Sequence, residues 1–201
     1  MSLRQQNKLK ARGKIISAAE ALIAEKGLDA ATTREIARLA GVSYQTLYNY
    51  FPTKADIVHA ILEAELALWS AAAANVVKQY SGDLVTDLVG FIEISLGAIN
   101  RTGRDLWGYV ATQAFNREIS RADIRSASSV AYEHYYAVLS LALGMGHLKP
   151  NTDLHLMAHA LFNLQDYAMM QYFLETIDDA QLVTTQRQII ALVVGPYLKT
   201  E

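Results

Sequence analysis

Apolar residues recur along this chain at helical spacing. Between Gln5 and Lys26, Ile15, Ile16, Ala19, Leu22 and Ile23 fall at i, i+1, i+4, i+7 and i+8, one stripe of a 3.6-residue period. Gly27 follows and can take the left-handed conformation that ends such a helix. Thr32-Thr33-Arg34-Glu35 has the form of a capping box, in which Thr32 and Glu35 each satisfy the other's backbone N–H. It predicts a short helix over Thr33–Leu39 with Ile36, Ala37 and Ala40 inward. Gly41 supplies a tight turn, Ser43 caps a second short helix over Tyr44–Tyr50, and Pro52 stops it. Thr53, with Asp56 as partner, caps a longer helix from Lys54 to Gln79.

Further helices are expected at 83–101, 105–116, 121–145, 153–174 and 179–198. The breaks between them are Ser81-Gly82-Asp83, Thr102-Gly103-Arg104, residues 117–120, Gly144–Asp153 with Pro150, and Thr176–Asp179. Alternating β-branched runs flanked by hairpin turns are absent, so no sheet is expected. No flexible linker interrupts the chain, and the helix from Lys54 is expected to join its two parts rigidly.

Charge divides the chain in two. Residues 1–54 hold nine Lys and Arg against four Asp and Glu, a local charge of +5. The remainder holds nine against sixteen, or −7, beneath a net charge of only −2. A basic head on an acidic body points to a polyanion as the partner of the head, the alternative being a solvated charge run. With 52% hydrophobic and 19% charged residues, the 201-residue chain can bury a sizeable core. It has no cysteine, which excludes disulfides and thiolate chemistry and fits a reducing, cytoplasmic location. The basic start runs into Glu20 and Glu25 rather than an apolar run, so a signal peptide is not expected. No apolar run approaches the ~18 residues of a membrane span.

Two short helices joined by Ala40-Gly41-Val42-Ser43 have the shape of a helix-turn-helix. Leu47 and Phe51, four apart, can pack inward, leaving Tyr44, Gln45, Thr46, Tyr48 and Asn49 as a polar face for the major groove. The run from Thr32 to Lys54, with Ala-Gly-Val-Ser, Thr46-Leu47-Tyr48 and Tyr50-Phe51 before a lysine, resembles the signature of the TetR family of repressors. The likeness extends back through Ile16, Ala18, Ala19 and Gly27, about the first quarter of the chain. It implies phosphate contacts at Thr33, Ser43, Tyr48 and Lys54, and base-facing positions at Arg34, Tyr44, Gln45 and Thr46. Donor and acceptor geometry lets Arg34 bond guanine and Gln45 adenine. An arm before Ala11 can add Arg4, Lys8 and Lys10 by Coulomb attraction.

For the body, the resemblance implies dimerisation through the last two helices and a pocket for an effector. Leu161, Phe162, Leu164, Tyr167, Ala168, Met169, Tyr172 and Phe173 make one of those helices apolar on more than one face. Ile189, Ile190, Leu192, Val193, Val194 and Tyr197 do so for the other. Candidate ligand-binding residues are Trp107, Val110, Gln113, Phe115, His134, Tyr135, Val138, Asn163 and Tyr167, which combine aromatic walls with a few polar groups. Each of them alone is equally at home in an ordinary core. Arg104, Arg117, Arg121 and Arg125 cluster near predicted helix ends, which favours an apolar, aromatic or cationic ligand over an anionic one. Glu93 and Asp166 are the acids placed to face inward, a solvated position being equally open.

Rival readings rest on histidines. His134 with Glu133 or Glu93 can serve acid–base chemistry, but no nucleophile motif, phosphate loop or metal cluster accompanies them. His155 and His159 lie at i, i+4, as in a metal sensor, without an evident third ligand. A DNA-binding protein without a ligand is the third alternative. The expectation is therefore an all-α protein: an N-terminal three-helix helix-turn-helix DNA-binding domain at 1–54, and a larger helical effector-binding and dimerisation domain at 55–201. It is expected to be a cytoplasmic, non-enzymatic homodimer without cofactor or resident metal and without a membrane partner. Its expected partners are a palindromic double-stranded operator and a small molecule.

Overall fold

The computed structural model describes residues 2–109 and 121–199, except for the side chains of residues 3, 4 and 121–129. Three candidate ligand residues, Val110, Gln113 and Phe115, and the side chain of Arg4 lie outside the described residues.

The elements are α1 (Leu3–Lys26), α2 (Thr33–Leu39), α3 (Tyr44–Tyr50), α4 (Lys54–Lys78) and α5 (Leu84–Thr102). Residues 104–109 are helical as well. Then come α6 (Arg121–Gly144), α7 (Leu154–Phe173), α8 (Asp179–Val194) and a 3-10 turn at Gly195–Tyr197. Among the described residues there is no strand. Leu148 and Leu198 form one isolated antiparallel bridge.

Caps explain where the elements begin. Ser2 and Gln5 make a full capping box, so α1 starts two residues before the apolar stripe indicates. The expected basic arm is therefore helix. Thr32 and Glu35 form the expected box on α2, and the Ser43 hydroxyl accepts from the Thr46 N–H at 3.0 Å. Thr53 and Asp56 exchange the same bonds ahead of α4: the Thr53 N–H donates to Asp56 at 2.8 Å, and the Asp56 N–H to Thr53 at 3.2 Å. Such a cap contributes about 1 kcal/mol. The last helix ends earlier than the apolar pattern suggests, at Val194. Pro196 cannot continue an α-helical ladder but suits the start of a new turn. The chain then pairs back, with the Lys149 N–H on the Tyr197 carbonyl at 2.9 Å and the Lys199 N–H on His147 at 3.0 Å.

The chain forms two compact units: Met1–Glu65 with Ile99–Val110, and Leu66–Ala98 with Ala111–Glu201. Ile15, Ala19, Leu22, Ile36, Leu47, Phe51, Ile57, Ile61 and Leu106 are buried in the first. Glu65 is buried there too and accepts from Arg101 at 2.9 Å. Glu20, close by, titrates above its ordinary range through burial and the repulsion of Glu65. In the second unit α6 packs on α7 and α7 on α8, around Leu88, Phe91, Tyr135, Val138, Leu139, Ala158, Leu161, Ile190 and Val194. Its buried polar groups are mostly bonded. The Tyr135 hydroxyl donates to the Gln165 side chain, and the Gln186 amide reaches the Gln165 carbonyl.

By length and hydropathy α4 is, among the described residues, the one helix capable of crossing a bilayer. In this fold Ile57, Val58, Ile61, Leu62, Trp69 and Ala73 turn much of its apolar surface into protein core.

Two glycines answer to backbone conformation. Gly41 has φ +67° with open space around it, whereas Gly103 has φ +91° and a Cβ there would lie 3.4 Å from the Ala24 Cα. Gly41→Ala should therefore cost about 1–2 kcal/mol, the left-handed penalty alone. Gly103→Ala should cost about as much, because a Cβ there meets the backbone of α1 only at ordinary van der Waals distance. Denaturant midpoints of the two variants test this, and a much larger loss at Gly103 would show that the contact with α1 matters beside the left-handed penalty.

Candidate nucleic-acid interface

Helix α3 has one buried side chain, Leu47, at 1% exposure. Phe51 follows it into the core at 4% exposure, under the guanidinium of Arg12, which stands 5.6 Å from the ring centroid. With one edge of α3 held in this way, Tyr44, Gln45, Tyr48 and Asn49 all face solvent. Tyr44 and Tyr48 are each 49% exposed and lie one turn apart on the same face. Gln45 donates to the Asn49 side chain at 3.1 Å, and the Thr46 hydroxyl meets Ser43 at 2.8 Å. These groups lie on the rim of α3 and can exchange partners with base edges or phosphates.

The structure brings the other candidates to the same unit. Thr33 is half-buried in the first turn of α2, Arg34 beside it is exposed, and Ser43 is the exposed cap of α3. Lys8 of α1 lines a groove of about 480 Å³ with Asn7, Thr46, Asn49 and Tyr50. Asn7 and Tyr50 join the candidate surface here, and sequence reasoning had placed neither on it. The signal was available for Asn7: the Ser2-x-x-Gln5 box makes residues 3–14 helical and so fixes their facing. Lys10 and Lys14 are exposed on the same helix.

Lys54 has a second engagement. Its ammonium donates to the Leu28 carbonyl and, at 3.3 Å, to that of Asp29. It therefore ties the start of α4 to the loop after α1. Lys26 plays a related part for α2, donating to Glu35 at 2.5 Å. That bond, with those from the Thr32 hydroxyl and N–H, holds the Glu35 carboxyl down to about 2 from an ordinary 4.5.

Candidate ligand residues fall into three places. Trp107 is buried in the first unit and donates to Thr102 at 2.7 Å. His134, Tyr135 and Val138 are buried together on α6 in the second. Asn163 and Tyr167 are exposed on α7, with the Asn163 amide on the His159 carbonyl at 2.8 Å. Glu93 and Asp166 are exposed rather than inward. Glu133 is exposed as well, and neither it nor Glu93 bonds His134. His155 and His159 are exposed and flank tyrosines: His159 lies 4.5 Å from Tyr132, and His155 stacks on Tyr136 at 4.5 Å. Among the described residues, no third histidine or carboxylate joins them.

A family model described as "Bacterial regulatory proteins, tetR family" matches residues 15–61, the stretch that holds α2, α3 and the capped start of α4. Over that stretch the chain is similar to the TetR family. It is 37% identical over 76 residues to the HTH-type transcriptional regulator YvkB of Bacillus subtilis, a match spanning only 38% of that protein's length and 38% of this chain. It is 26% identical over 146 residues, 72% of each chain, to the transcriptional repressor KstR2 of Mycobacterium tuberculosis. The TetR-family repressor FadR of Thermus thermophilus, solved with lauroyl-CoA, superposes with a TM-score of 0.66 at 20% identity over 94% of this chain and 96% of its own. That likeness is one of fold.

The depressed Glu35 carboxyl gives the head a pH signature. Above about 4.5 the group is ionised in both folded and unfolded chains, so its pairing contributes fully. As pH falls from there towards 2, the unfolded chain takes the proton first and the contribution is lost. Lys26→Met should raise the Glu35 titration midpoint by NMR and shrink the stability lost below about 4.5, with the loss complete at higher pH. An unchanged midpoint would remove Lys26 as its cause.

Proposed function

We propose that this chain is a dimeric transcriptional repressor that reads a palindromic double-stranded operator through α3 and releases it on binding a small, largely apolar or aromatic molecule. The observation that carries the reading is the face of α3. Leu47 anchors it, and four polar or aromatic side chains stand free beside a groove lined by Lys8. In this reading residues 1–54 bind DNA, and residues 55–201 bind the effector and the second protomer. Thr33, Ser43, Tyr48 and Lys54 hold phosphates, while Arg34, Tyr44, Gln45, Thr46 and Asn49 address bases. The local charge of +5 favours any duplex, and the base contacts choose among them.

Two-fold symmetry gives two such heads a palindrome with half-sites about one helical turn apart. Support for the dimer comes from the last two helices. Leu164, Tyr167 and Leu192 are exposed at 37, 65 and 78%, while Leu161, Ala168, Tyr172, Ile190 and Val194 already fill the protomer's own core. Two helices apolar on more than one face bury the outer face against a second copy.

Regulation follows as a population shift. A ligand that binds better to a form with wrongly spaced heads lowers DNA affinity by its differential affinity for that form. The continuous helix from Lys54 to Lys78 carries the change. The ligand complex of FadR and the repressor name of KstR2 support this reading, which places the protein in the cytoplasm.

Three measurements test it. Selection of bound duplexes from a random pool should return a palindrome, and an asymmetric or absent motif would defeat the dimeric reading. Lys54→Ala should weaken binding to all duplexes and reduce the log–log salt slope by roughly one, whereas Gln45→Ala should change sequence preference. A loss for Lys54→Ala with an unaltered slope would leave that lysine only its carbonyl bonds. Tyr167→Glu should sediment as a monomer if the outer face of α7 is the interface, and a persistent dimer would place the interface elsewhere.

A further inference from the structure

Helix α6 carries a histidine that its surroundings leave unsatisfied. His134 is 3% exposed, and neither ring nitrogen has a hydrogen-bond partner. Phe91 of α5 stacks on the imidazole with centroids 4.7 Å apart and planes at 20°. Tyr135 stands edge-on at 5.9 Å. Burial lowers the His134 pKa to about 4, against weaker opposing influences from the Ala73 carbonyl on α4 and from Asp87 on α5. The ring is therefore neutral at pH 7.

A neutral imidazole has one N–H and one bare lone pair. The Ala73 carbonyl is directed near the ring but does not reach hydrogen-bond geometry. At best it can answer the N–H, since a carbonyl cannot donate. The lone pair then lacks a donor among the described residues, and two polar groups close by are committed elsewhere. The Tyr135 hydroxyl is given to Gln165, and Asp87 accepts from the Ser81 N–H and hydroxyl at 2.9 Å each. Leaving such a group buried without a partner costs stability that an apolar side chain of similar size would not. Its presence on an otherwise apolar helix face points to a partner that comes from outside the chain.

Resting on the effector-binding reading above, we infer that His134 is the polar anchor of the effector site and accepts a hydrogen bond from an uncharged ligand bearing an O–H or N–H donor on an apolar or aromatic skeleton. Phe91 supplies the stacking wall. A carboxylate or phosphate offers only acceptors, so it would set lone pair against lone pair. It would also bring a negative charge towards Asp87, whose charge of the same sign is felt at the ring. The neutral ring cannot compensate either.

The test uses the full-length protein and two matched probe pairs, naphthol with methoxynaphthalene and phenylphenol with methoxybiphenyl. Members of each pair share skeleton and apolar surface and differ in the donor proton. Calorimetry gives affinity, and nitrogen NMR reads the His134 ring. The hydroxyl member of at least one pair should bind roughly tenfold tighter and shift the bare ring nitrogen to a hydrogen-bonded position. His134→Leu should abolish the preference with a Tm at or above that of the unaltered protein. Equal affinity within both pairs, or no binding by any probe, overturns the inference. So does a ring already hydrogen-bonded in the free protein, as a resident water would make it, or a large fall in Tm for His134→Leu. The two readings fail separately. Equal binding within both pairs together with weakened DNA binding refutes the anchor and upholds the effector site. Hydroxyl-selective binding through His134 with unchanged DNA affinity upholds the anchor and refutes its regulatory role.

Discussion

A seven-residue helix has too few internal hydrogen bonds to persist alone in water, so α3 exists only because Leu47 and Phe51 are buried beneath it. Much of the first unit serves that constraint. Helix α2 is itself seven residues long and is held by the Thr32–Glu35 box and by Lys26. Gly41 turns the chain between the two helices, and Lys54 fixes the next helix to the carbonyls after α1. Each device satisfies a backbone group or buries an apolar one. Together they leave one edge of α3 free of any structural duty, and that edge carries the polar face.

The second unit obeys a different constraint, the cost of buried polar groups. Tyr135, Gln165 and Gln186 meet much of it by bonding one another across α6, α7 and α8. His134, the neighbour of Tyr135 on the same helix, does not. Two adjacent residues with like burial and unlike satisfaction are the sharpest contrast in the unit. It turns attention from the many aromatic side chains, which pack as core, to a histidine ring whose two nitrogens the core leaves without hydrogen bonds.

Legibility was greatest where the rules are local. The capping boxes at Thr32 and Thr53, the stop at Pro52 and the turn at Gly41 were readable because each involves residues within four positions of one another. Helix borders followed for the same reason, except where a cap lay outside the apolar stripe, as at Ser2, or a proline inside it, as at Pro196. The candidate ligand residues fared differently. Aromatic and polar residues near one another in sequence were grouped as one lining. The structure separates buried Trp107 in one unit from His134 and Tyr135 in the other, and leaves Asn163 and Tyr167 on an outer face. Residue type tells how a side chain would suit a pocket, but its placement depends on which helices pack on which.

By itself, then, the sequence determined the helices, their caps, the basic head and the polar face of α3, all consequences of periodicity and short-range hydrogen bonding. Tertiary structure alone decided that Lys8 and Asn7 line a groove with Thr46, Asn49 and Tyr50, that Lys54 is bound by the carbonyls of Leu28 and Asp29, and that His134 is buried without a partner. Each of these depends on atoms brought together across long stretches of chain, and no local spacing rule carries that information.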